Sequence, residues 1–142
     1  MSRVIKTENV ATERTRLMKA MAIAMRELIA KQGFDGQARD LAAFMVFALD
    51  TVTQSVERSV LPWEKRGYWV KADRFRMDWA WTEPTAKKLR DALLADDMDA
   101  IAESIASLAQ RLQNIDVPAK HRLGTPWVGA WEKLHAAQSA GG

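Results

Sequence analysis

The chain contains no cysteine. That absence excludes disulfides, zinc–thiolate centres, iron–sulfur clusters and cysteine nucleophiles, and it fits a reducing compartment. Histidine is nearly absent too, with only His121 and His135 in 142 residues. Glu132 and His135 have the spacing that places two metal ligands on one helix face. No second Glu-x-x-His pair exists to complete such a site, so neither a metal nor a cofactor is expected. His121 lies among Lys120 and Arg122 and reads as a solvated or hydrogen-bonded loop residue. Serine nucleophiles lack a Gly-x-Ser-x-Gly elbow. The Gly33 and Gly36 pair lacks the preceding strand and the lysine of a phosphate loop. Asp96, Asp97 and Asp99 lack the spacing and glycine of a calcium loop; helix capping accounts for them. No catalytic motif emerges.

Long apolar runs are also missing. The longest near-continuous one, Leu41 to Leu49, is closed by Asp40 and Asp50. It is too short to cross ~30 Å of hydrocarbon as a helix. The N-terminus, MSRVIKTENVATERTRLMKA, lacks a signal peptide's order of charge, apolar stretch and cleavage site. The expectation is a soluble, cytoplasmic chain without a membrane partner. No Pro/Gly-rich stretch divides it, so one domain over 1–142 is expected, with 136–142 as a flexible tail.

What is present is ordinary in amount and uneven in arrangement. Hydrophobic residues make up 48% and charged residues 27%, enough apolar surface for a packed core. The net charge of +3 conceals an alternation. Segments 1–32, 58–81 and 119–142 are basic; 33–57 and 82–118 are acidic. Such alternation suits helices packed side by side, and the excess is small for a nucleic-acid binder.

Apolar residues recur at three- and four-residue steps along most of the chain, the period of a buried helix face. Leu17, Met18, Met21, Met25, Leu28 and Ile29 mark a first helix over about 7–32, ended by Gly33. A second over about 37–60 carries Leu41, Phe44, Met45, Ala48, Val52 and Val56. Its first half is apolar almost all round and should be central. Pro62 should interrupt or restart it. Thr82 and Pro84 mark a helix start, with Thr82 as cap. Leu89, Leu93 and Leu94 follow, and Asp96 or Asp97 can cap the next helix. That one, Met98 to Ile115, has the cleanest periodicity in the chain. A last short helix runs from Trp127 to His135. The fold class is all-α: five or six helices around a four-helix-bundle-like core, supplied by the first two helices and the hairpin at 82–115.

Residues 63–81 stay open between two readings. Tyr68, Ala72, Phe75 and Trp79 align at helical steps, whereas Phe75, Met77, Trp79 and Trp81 alternate as in a strand. The same segment holds the candidate site. Four of six tryptophans lie in it, interleaved with basic groups. The candidate interface or ligand surface is Trp63, Arg66, Tyr68, Trp69, Arg74, Arg76, Trp79 and Trp81. Three uses are open. The first is a non-enzymatic helical interaction module that forms a homo-oligomer through these tryptophans. The second is single-stranded nucleic-acid binding, with bases on the rings and phosphates on Arg74 and Arg76. The third is a small-molecule pocket between helices, lined by Trp79, Tyr68 and methionines. Plain packing of the tryptophans between helices is the alternative to all three.

Overall fold

A computed structural model describes residues 7–141. Six helices occur among them: α1 (Thr7–Ala30), α2 (Gly36–Lys65), α3 (Trp69–Trp79), α4 (Thr82–Leu94), α5 (Met98–Leu112) and α6 (Ala130–Gly141). No strand occurs among the described residues. The all-α expectation holds, and residues 63–81 resolve as helix rather than hairpin.

The apolar character of α2 makes it the axis. Leu41, Met45, Val46, Leu49 and Val52 are fully buried on it, and α1, α3, α4 and α6 all pack against it. The neighbours close a ring, because α4 packs on α5 and α5 returns to α1. These four helices, α1, α2, α4 and α5, are the core bundle; α3 and α6 cover further flanks of α2. Met21, Leu89, Leu93, Ile101 and Leu108 complete the buried centre, where each large apolar side chain contributes roughly 1.5–3 kcal/mol.

Cross-links fix the directions. Arg14 meets Ser55 and Ser59, so α1 runs antiparallel to α2. Thr53 bonds Thr82, Asp50 pairs with Arg90, and Arg39 pairs with Asp96. The pairing therefore moves up α2 as it moves down the chain, and α3 and α4 return along it. The α2–α3 corner consequently sits at one end of the molecule and the α4–α5 corner at the other. A helix of 30 residues separates them by about 45 Å.

Several local expectations are corrected. Pro62 does not interrupt α2, which continues to Lys65. Proline forfeits one backbone bond and crowds the preceding turn, but only the final turn follows it. That turn is held from outside: Trp63 meets Phe75 edge-on and Glu64 pairs with Arg76. Thr82 does not cap α4. It is buried, its hydroxyl donates to the Trp79 carbonyl, and Trp81 occupies the cap without a side-chain bond. Asp97 does cap α5, accepting the Ala100 N–H at 3.1 Å. Helix α5 ends at Leu112, short of Ile115.

The C-terminal helix is shifted and extended. It begins at Ala130 rather than Trp127 and continues past His135 to Gly141, through most of the segment expected to be a tail. Asp40 supplies the reason. Its carboxylate accepts the N–H groups of Trp131 at 2.9 Å and Gly129 at 3.2 Å. Free amides at a helix start are thus satisfied from α2, as a cap would satisfy them. Trp127 pins the approach, 2% exposed and edge-on to Phe44. Its indole N–H has no acceptor among the described residues, against the expectation that buried indoles find one.

Candidate functional site

The sequence places eight candidate residues in one segment, and the structure divides them between its inner and outer sides. Four sit half-buried on its inner side. Trp63 stands edge-on to Phe75, 5.2 Å between centroids, with Lys71 Nζ 4.3 Å above its ring. Arg76 spans two carboxylates of α2: Nε donates to Glu57 Oε2 at 2.9 Å and Nη1 to Glu64 Oε2 at 2.6 Å. Trp79 and Trp81 stack at 6.4 Å with 24° between planes. The other four, Arg66, Tyr68, Trp69 and Arg74, face solvent.

The electrostatics of Arg76 follow from its two partners. Their carboxylates raise its pKa above the ordinary value. In return its hydrogen bonds hold both Glu57 and Glu64 below the usual carboxylate range. Arg76 is therefore a strut between α2 and α3, already committed, and its donors are not free for phosphate.

At the N-terminal end of α3 the chain forms a knob. Gly67 takes φ +83°, a left-handed conformation that suits glycine, and turns the chain out of α2. Tyr68, Trp69 and Val70 then project, 52%, 61% and 68% exposed. Residues 65–74 carry four cations and one carboxylate. Lys65, Arg66 and Arg74 have no ion pair among the described residues. Val70, Arg74 and Met77 follow one another at helical spacing on the outer face, and Met77 is also exposed.

At the C-terminal end lies a cleft of about 570 Å³ between α1, the α3–α4 turn and the end of α5. Trp79, Trp81, Met18 and Ile115 give it apolar walls. Tyr68, expected in such a pocket beside Trp79, lies at the opposite end of α3. Two arginines outside the candidate set matter here. Arg14 is only 6% exposed and lines the cleft from α1. Arg111 lies 5.0 Å over the Trp81 ring from α5. Arg14 carried a signal: it precedes Met18 by four residues and Met21 by seven, on the apolar face of α1. A charged residue on that row must be buried or must displace the helix.

The remaining candidates have local roles. His121 accepts the Leu123 N–H through Nδ1 at 3.2 Å, and His135 rests against Trp131. No group of three metal-ligating side chains occurs among the described residues, and no helix is long and apolar enough to cross a membrane. Comparison with known proteins returns nothing to lend a function: no protein family, no curated protein and no solved structure matches this chain.

Proposed function

We propose that the chain is a non-enzymatic interaction module that self-associates head to tail, the aromatic knob of one copy seating on the α4–α5 corner of the next. The observation that carries this reading is the knob itself. Three consecutive large side chains, each more than half exposed, sit among Lys65, Arg66 and Arg74, which make no ion pair among the described residues. Exposed apolar clusters of this kind mark interaction surfaces, and aromatic residues with arginine are the usual energetic anchors.

Charge decides the partner surface. Two knobs placed face to face would set like charges together, which disfavours a symmetric contact. The α4–α5 corner offers the complement. Residues 91–103 hold five carboxylates and no cation. Asp91, Asp96 and Glu103 pair with Lys87, Arg39 and Lys88, whereas Asp97 and Asp99, with no ion pair among the described residues, flank Met98, which is 46% exposed. Knob and corner lie at opposite ends of the bundle. One copy cannot join its own two ends, and a head-to-tail contact follows. Nucleic acid is less well served, because Arg76 is occupied by Glu57 and Glu64 and only Tyr68 and Trp69 present open rings.

Native mass spectrometry and light scattering across a concentration series test the proposal. Species at multiples of 16.0 kDa that dissociate as salt rises are expected, since exposed charge pairs are screened beyond about 10 Å at 0.1 M salt. A monomer at every concentration and ionic strength overturns it.

A further inference from the structure

We propose that the cleft at the C-terminal end of α3 binds a small, flat, aromatic carboxylate, with Arg14 as its anion receptor. This site is separate from the knob and does not depend on self-association.

Arg14 is the unusual feature. Its Nη1 donates to Ser55 Oγ at 3.0 Å, Ser59 Oγ at 3.1 Å and the Ser55 carbonyl at 3.3 Å. All three acceptors are neutral. Nε and Nη2 donate to no protein group among the described residues, and no carboxylate there pairs with the guanidinium. Burial, then the charge of Arg58, lowers its pKa from the ordinary value. An unpaired charge in a protein interior is costly. Holding α1 against α2 would need only a neutral side chain able to reach two serines. A buried cation without a carboxylate partner, at the wall of an open cleft, is instead the arrangement that an incoming anion completes. Nε and Nη2 share one edge of the fork, the edge that pairs bidentately with a carboxylate.

The surroundings define the rest of the ligand. The guanidinium lies 4.8 Å over Phe75 and 5.5 Å over Trp79, which fixes its plane. Trp79 and Trp81 provide stacked indole surface, and Met18 supplies an adaptable apolar contact. Lys19 and Arg111 stand at the rim against a single carboxylate, Asp78. With Arg14 the lining holds three cations and one anion, so it favours a negative ligand. A volume near 570 Å³ is within the range of small-molecule sites. A flat body slides along the indoles while its carboxylate reaches Arg14.

Isothermal titration with 2-naphthoate, and with 2-naphthamide as its neutral isostere, tests the site. The naphthoate should bind one per chain, and the amide at least about tenfold more weakly, as expected for hydrogen bonds to a charged group. Arg14→Gln should lower naphthoate affinity by about tenfold or more and leave the amide unchanged. Because Arg14 is buried and its replacement could disturb folding, Arg111→Gln is the second variant: it is exposed, and it too should weaken the naphthoate selectively. Trp69→Ala, at the far end of α3, should leave naphthoate binding intact. Equal affinity for acid and amide overturns the proposal. So does naphthoate binding that survives both arginine substitutions, or an absence of naphthoate binding at millimolar concentration.

Discussion

Arg76 and Glu64 face each other across the α2–α3 corner, Nη1 to Oε2 2.6 Å and Nη2 to Oε1 3.0 Å. The same guanidinium reaches Glu57 two turns earlier on α2. A corner that projects an aromatic knob needs such a strut, because α3 buries only Ala72 completely. Arg76 thus carries a structural load within a segment whose other arginines make no ion pair among the described residues.

This pairing gives the fold an acid-sensitive component. Both glutamates have lowered pKa values in the folded chain, chiefly through the Arg76 hydrogen bonds. A carboxylate lowered on folding stabilises the fold above its unfolded pKa, and that contribution disappears as pH falls through the folded value. Arg76→Gln should therefore lower the melting temperature at neutral pH, and the gap from wild type should close below the ordinary glutamate value of about 4.3. A gap that stays constant down to about pH 2 would contradict this. Thermal melts by circular dichroism over that range give the answer.

Asp40 should behave as a helix cap supplied from another helix. Asp40→Ala removes the acceptor of the Gly129 and Trp131 amides. A cost of about 1 kcal/mol is expected, in line with ordinary caps. The loss should be local: faster amide exchange over α6, with α1, α2, α4 and α5 unchanged. Uniformly faster exchange would show that α6 is not separately anchored.

Arg14→Met offers a test in the opposite direction. Replacing a buried charge with an apolar chain of similar reach is often neutral or stabilising. If Arg14 is kept for a ligand, Arg14→Met should hold or raise the melting temperature. A loss of more than about 2 kcal/mol, the scale of a broken buried network, would assign Arg14 to stability instead.

Much of the bundle was legible because it rests on one signal. The three–four step of Met98, Ile101, Ile105, Leu108 and Leu112 reports burial of one face, and the all-round apolar first half of α2 reports a central position. What was not legible depends on contacts distant in sequence. Pro62 reads as a break, and only Trp63 on Phe75 and Glu64 on Arg76 show why the last turn survives. The end of the chain reads as a tail, since nothing in residues 130–141 reveals that Asp40 will cap them. The tryptophan segment showed its residue types but not their division. Whether Trp69 points out and Trp79 points in depends on the face of α3 that meets α2, and two periodicities competed there. Arg14 reads with the other basic residues of α1 as lying mostly off its apolar face, because arginine usually belongs to the solvent face of a helix; the structure buries it to 6% exposure, as its spacing from Met18 and Met21 requires.

Trp69 should be the energetic centre of the knob. Trp69→Ala should weaken self-association by about 2 kcal/mol or more, roughly thirtyfold in Kd. The melting temperature of the monomer should hardly change, because the side chain is 61% exposed and contributes little to the core. Sedimentation velocity together with thermal melts separates the two effects. A lowered melting point with unchanged association would make Trp69 a packing residue.

The most direct measurement uses two charge reversals, one at each end of the molecule. Arg74→Glu spoils the knob and leaves the α4–α5 corner intact; Asp99→Lys spoils the corner and leaves the knob intact. Each variant alone should remain monomeric in light scattering. Mixed, the intact knob of one should meet the intact corner of the other, giving species of at least a one-to-one dimer. A mixture that stays monomeric while the wild type assembles, or single variants that assemble as the wild type does, would contradict head-to-tail association.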